Sequence, residues 1–131
     1  MDKLRAYNAF WNAFGIPAFD ELSVPDEIYD ETLQKKVPLK PPYITYQTAS
    51  DEFGNALFLN ASIWYRDTSW ADVTHKEQQI ADFIGRGGMT VSYDGGSFWI
   101  QKGSPWAQRM ADPEDDMIRR IVLQYNIEFF D

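Results

Sequence analysis

The chain has no cysteine, and that single absence removes disulfides, thiolate metal sites and cysteine nucleophiles together. Histidine is almost as scarce. His75 stands alone, so no site can be built from two imidazoles. Long apolar runs are also missing: in the opening stretch, MDKLRAYNAFWNAFG, polar residues interrupt every apolar cluster, which reads as neither a signal peptide nor a membrane span. Positive charge is in short supply, with 12 Lys and Arg against 20 Asp and Glu and a formal net charge of -8. Beyond the pairs Lys35-Lys36 and Arg119-Arg120 there is no basic stripe, and holding nucleic acid by counterion release needs one.

Aromatic residues are what the sequence has in plenty, 16% of the chain with five Trp. Rings in such number fill a core or serve protein interfaces, where Trp and Tyr are enriched. A length of 131 residues predicts one domain, 1–131, with a core that needs no metal or disulfide.

Periodicity divides the chain. Leu4, Tyr7, Phe10, Trp11 and Phe14, spaced by three and four, predict a first helix with one apolar face, closed by Gly15 and Pro17. Residues 16–42 read as a proline-punctuated loop insertion, most unusual near 26–42, with room for a helical turn over 27–34. Two strands follow, 43–50 and 57–66, joined by the turn DEFGNA. In the second, Leu57, Leu59, Ala61, Ile63 and Tyr65 are expected to face the core; Phe58 and Trp64 on the other side imply that this face is also partly covered. A second helix is expected from a capping box at Ser69 and Asp72 to Gly85, with Glu77 the one polar intruder on its apolar face. Strands over 89–93 and 97–102 meet at Asp94-Gly95, GSPWAQRMADPEDD reads as a long loop, and an alternating strand closes the chain over 117–130. The order α-β-β-α-β-β-β predicts an α+β fold: an antiparallel sheet of about five strands with two helices packed on it.

Four constellations carry possible chemistry. Gly85-Arg86-Gly87-Gly88 resembles a phosphate cradle, but its helix precedes the glycines, whereas the free N–H groups and the positive dipole end sit at a helix N-terminus. The glycines are therefore expected to cap the helix and turn the chain, leaving Arg86 solvated or reaching a neighbouring subunit. His75 shares a helix face with Asp72 and Gln79 without a nucleophile opposite it, and is expected at the surface. DPEDD concentrates Asp112, Glu114, Asp115 and Asp116, enough oxygen to attract magnesium or calcium, yet lacks the alternating ligands and central glycine of a calcium loop. A solvated acidic loop, without obvious ion-pair partners, is the plainer expectation. Finally, SPWAQRM places Trp106, Arg109 and Met110 together, residue types that anchor protein interfaces. The alternative is a loop that folds back over its own core, and the residues leave both open.

In order, VPD, PPYITYQ, SIWYRDTSW, FIGRGG, YDGG, FWIQKGSPWAQRM and IRRI make the chain resemble the tail terminator, or tail completion, proteins of long-tailed phages. The resemblance spans nearly the whole chain. It implies a small α+β virion protein, not an enzyme and without cofactor, assembled in the host cytoplasm into a homo-hexameric ring of the tail and neck. That ring would stop the tail tube, meet the tube protein on one side and the head-completion or connector protein on the other, and let DNA pass without specific binding. On this reading Trp106, Arg109, Met110 and Arg86 are subunit contacts, while Asp112, Glu114, Asp115 and Asp116 face the lumen, where carboxylates repel phosphate. The competing expectations are another neck protein of similar fold, a monomeric binding module, and a divalent-metal enzyme using residues 112–116.

Overall fold

The alternating run at the end of the sequence becomes the middle of the sheet. In the computed structural model, which describes residues 1–48 and 56–131, strand β8 (Ile118–Phe130) buries Ile121, Leu123, Tyr125, Ile127 and Phe129 in succession. A side-chain period of two sends all five to one face. On one side β8 pairs along the whole of β5 (Ala56–Arg66), from Ala56 opposite Glu128 to Arg66 opposite Ile118. On the other it pairs with β7 (Gly96–Met110), and β7 pairs in turn with β6 (Met89–Tyr93).

Beyond β5 lie β4 (Tyr43–Tyr46) and β1 (Ala18–Asp20), giving the sheet order β1-β4-β5-β8-β7-β6. Every pairing is antiparallel except β1 with β4. A separate hairpin, β2 (Glu27–Asp30) with β3 (Lys35–Pro38), stands outside this sheet. The architecture is α+β, as expected, but the sheet has six strands. Residues 16–42 are not loop, because they contain β1 and the hairpin. The helical turn expected over 27–34 is replaced by that hairpin, in which Ile28 faces Val37 across the ladder. Ile, Tyr and Val at the pairing positions favour a pleated ribbon over a helix. The expected turn DEFGNA, up to residue 55, and the last two residues of the expected 43–50 strand lie outside the described residues.

Helix α1 (Lys3–Trp11) is capped by the Asp2 carboxylate, which accepts from the Arg5 N–H at 2.9 Å, and runs into a 3-10 turn at Asn12–Phe14. Gly15 stops it at φ 84, a left-handed conformation that glycine adopts without strain. Tyr7, Phe10, Trp11 and Phe14 are buried as the spacing predicts, whereas Leu4, expected beside them, is exposed. The helix touches both β1 and β6, so the sheet curls to bring its two edge strands to one helix. Inside that curl Tyr125 O–H and Tyr7 O–H bond to each other, and Tyr7 donates onward to the Gln47 carbonyl at 2.7 Å. Burial pushes both phenols well above their ordinary range.

Helix α2 (Ala71–Ile84) adds Val73, Ile80 and Ile84 to the same core. Its expected capping box does not form. Trp70 occupies the cap without a side-chain cap bond, and the Ser69 hydroxyl instead accepts from Ala71 N–H at 3.0 Å. At the other end Gly85 donates its N–H to Ala81 O and takes φ 81, so the helix stops where the glycines begin. Gly88 then turns the chain tightly, since a Cβ there would meet Ile100 O at 2.6 Å and Trp99 Nε1 at 2.7 Å.

Candidate functional site

Residues 103–110, expected as part of a loop, are strand. β7 continues to Met110 because its ladder with β8 resumes after Pro105: a register shift between Lys102 and Ala107 absorbs the proline, and Ala107 then faces Leu123 and Met110 faces Arg120. A bulge of this kind keeps a proline within a strand that its missing N–H would otherwise interrupt.

That extension sorts the SPWAQRM side chains. Trp106 is half-buried and packs against the core, and its buried indole N–H turns toward the Glu77 carboxylate without closing a full hydrogen bond. Arg109 and Met110, by contrast, are exposed. Thus the expected loop-borne tryptophan is a correction: Trp106 covers the chain's own core, and the exposed pair is Arg109 with Met110.

Around Arg109 several distant segments meet. Its guanidinium lies 4.8 Å over the Trp70 ring, and that of Arg119 lies 5.4 Å from the same ring. Arg119 also donates to Asp116 O at 2.6 Å and to Thr68 O at 3.2 Å, tying the start of α2 to the loop before β8. Between α2 and β7 opens a cleft of about 220 Å³ lined by Thr74, Glu77, Gln78, Gln108 and Arg109, with Ile121 at its base. The Glu77 carboxyl is pushed above its ordinary range, mainly by burial and also by Asp82, while the Trp106 N–H and Lys102 pull it back.

The acidic loop is structured by its own carboxylates. Asp112 Oδ1 accepts from the N–H groups of Glu114 at 2.8 Å and Asp115 at 3.1 Å; Asp115 Oδ1 accepts from Met117 N–H at 2.9 Å. These side-chain turns explain the composition of the loop. Asp115 is also 3.0 Å from the Arg66 guanidinium, which corrects the expectation that the loop has no ion-pair partner. The Met117 N–H first, and Arg66 next, hold its carboxyl below the usual range. Glu114 and Asp116 remain exposed and carry no ion pair among the described residues. Among the described residues no group of three or more His, Asp or Glu is placed to hold a metal ion.

On the helix-free face a row crosses the sheet in direct register, Tyr43 beside Trp64, Trp64 beside Arg120, Arg120 beside Met110. The Arg120 guanidinium sits 4.4 Å over the Trp64 ring and Nε donates to the Ser62 hydroxyl at 3.1 Å. Trp64 is therefore covered as expected from its face, while Phe58 on the same face is exposed.

Arg86 does not join this group. It follows the C-terminal end of α2, whereas Trp70 begins the helix, and 14 residues at 1.5 Å each separate the two ends by about 20 Å. His75 is exposed, without a hydrogen bond to Asp72 or Gln79; Gln79 instead accepts from Lys76 at 2.8 Å. The residues that sequence reasoning passed over are Trp70, Arg119 and Arg120. Their signal was present in the alternation of β8, which puts Arg119 and Arg120 on opposite faces, each beside a tryptophan.

No family model, no curated protein and no solved structure matches the chain.

Among the described residues, no helix is long and apolar enough to cross a membrane.

Proposed function

We propose that the chain is a structural subunit of a phage tail, a tail terminator that assembles into a hexameric ring closing the tail tube and presenting the surface that joins the head. The observation that carries this reading is convergence. Three separate stretches of the resemblance, SIWYRDTSW, SPWAQRM and IRRI, come together around Trp70 through Arg109 and Arg119, and they leave Arg109 and Met110 exposed beside the acidic loop. Consecutive in β7, they leave the strand on opposite faces, Arg109 on the side of Trp70 and Met110 on the side of Arg120, and a monomer gains little from exposing either. An assembling subunit uses both, since Met and Arg are enriched at interfaces.

The net charge suits a conduit. Glu114 and Asp116, exposed and without ion pairs among the described residues, would line the lumen or its mouth and repel passing phosphate. The partners on this reading are the tail tube protein and the head-completion or connector protein; the chain itself carries out no catalysis.

Light scattering across protein concentration, together with electron microscopy of the particles, tests the ring. Adding the protein to growing tail tubes tests the role. Rings that bind tube ends and arrest growth are expected. A strict monomer overturns the ring, and rings that bind the head connector while ignoring tubes indicate a different neck protein.

A further inference from the structure

Two strands of this chain each have an open edge, one in the six-stranded sheet and one in the separate hairpin. One is the edge of β7. β6 follows β7 only as far as Ile100, opposite Met89, so residues 101–110 have β8 on one side and, among the described residues, no strand on the other. Outside the β7–β8 ladder, no backbone hydrogen bond among the described residues reaches this stretch. In a chain of net charge -8 it holds Lys102 and Arg109 and no acid. Pro105 and the register shift spoil its first half as a template, leaving 107–110 as the regular open edge.

The other belongs to the β2–β3 hairpin, inserted in the chain between β1 and β4. A two-stranded hairpin alone is marginal in water. This one also exposes Tyr29 and Leu33, at 59% and 57%. Its charge is divided by strand: Glu27, Asp30 and Glu31 lie on or beside β2, Lys35 and Lys36 on β3.

We infer that β2 of one copy docks on the 107–110 edge of β7 in a second copy and extends its sheet by one strand. The inference rests on the ring reading above and names the contact that would build it. Charge selects the strand: Glu27, Asp30 and Glu31 suit an edge that holds Arg109 and is preceded by Lys102, whereas Lys35 and Lys36 of β3 would be repelled. Main-chain hydrogen bonds supply the attachment, as in other strand additions, and Tyr29 and Met110 bring apolar surface to it. Donor and acceptor are different edges of one chain, so each copy gives one hairpin and receives one. Such a head-to-tail contact closes into a ring when its rotation permits. It also covers two open strand edges that would otherwise invite aggregation.

The absence of cysteine makes the test clean. Tyr29→Cys and Gln108→Cys, prepared separately, mixed and mildly oxidised, are expected to give a covalent dimer that neither forms alone in the same yield, while Asp82→Cys on α2 does not replace Gln108→Cys. In parallel, Glu27→Lys with Glu31→Lys should raise the concentration needed for assembly at least tenfold, and Arg109→Glu added to that variant should restore it in part. Glu27 and Glu31 are exposed and make no side-chain bond among the described residues, so the fold should be retained. If the wild type forms rings but the mixed cysteines do not cross-link and the charge reversals change nothing, the docking is wrong and the ring reading stands. If the wild type stays monomeric at every concentration, both fall.

Discussion

Arg109 holds its guanidinium 4.8 Å over the ring of Trp70, joining the last residues of β7 to the first turn of α2. A cation near a tryptophan face is attracted by the ring quadrupole, and at an exposed site this is worth about 0.5–1 kcal/mol. Arg109→Ala should therefore lower monomer stability by about that amount in urea unfolding at dilute concentration. Trp70→Ala removes the ring that serves both Arg109 and Arg119, so its loss should be larger, roughly 2 kcal/mol from apolar area alone. If Arg109→Ala leaves stability unchanged while abolishing assembly, the cation contributes to contacts between copies and not to the monomer.

Trp106 gives a different expectation. It is half-buried against the core, and the cleft beside it is already open, so truncation should enlarge a void more than expose a surface. Trp106→Ala is expected to destabilise the folded chain by roughly 2–3 kcal/mol. Trp106→Phe should recover most of that, because it restores the ring volume and omits only an indole N–H that closes no full bond. Calorimetry of the two variants separates packing from polarity: equal losses would show that the N–H beside Glu77 matters more than the ring.

The same tryptophan shows where sequence reasoning stops. Alternation located β5 and β8 and their core residues, because a strand buried on one face prints its period directly into the sequence. Gly15 and Gly85 were legible as helix ends, each taking a positive φ that other residues adopt at a cost. Proline misled at two places. In 16–42 it marked the bends around a hairpin and not a structureless loop, and at Pro105 it marked a bulge within a strand that resumes at Ala107. Neither is decided by local composition, since both depend on a partner strand remote in the chain. The candidate site shared that fate. Arg109 and Met110 could be singled out by residue type, but Trp70 and Arg119 join them only once β7, β8 and α2 are packed.

Glu77 carries a pH dependence whose sign follows from its surroundings. Burial raises its carboxyl above the ordinary range, so between the ordinary and the raised value the folded state holds more protons than the unfolded chain. Stability must then fall as pH rises through that window, and the loss is complete above it. Glu77→Gln keeps an oxygen toward Trp106 and removes the charge. Its urea midpoint should exceed that of the wild type at pH 7, with the difference shrinking to nothing below about pH 4, near the ordinary glutamate value. A variant less stable than wild type at pH 7 would show that the attraction of Lys102 outweighs burial.

The last expectation concerns the carboxylates that the fold does not use. Asp112 and Asp115 organise their loop and Asp115 binds Arg66, so replacing them would disturb structure and charge together. Glu114 and Asp116 are exposed, and neither side chain holds a turn, which makes them the proper probes of the acidic lumen. Changing both to Lys moves the charge by about four units per subunit, multiplied around any ring, while exposed loop substitutions alter stability by only about 0.5 kcal/mol. Nonspecific DNA affinity should then appear and weaken steeply with added salt, because each phosphate contact releases a condensed counterion. The measurement is fluorescence anisotropy of labelled duplex DNA with wild type and variant from low to physiological salt. A wild type that already binds tightly would sink the acidic conduit. So would a variant that assembles normally yet gains no affinity, because Glu114 and Asp116 would then face away from any path the DNA takes.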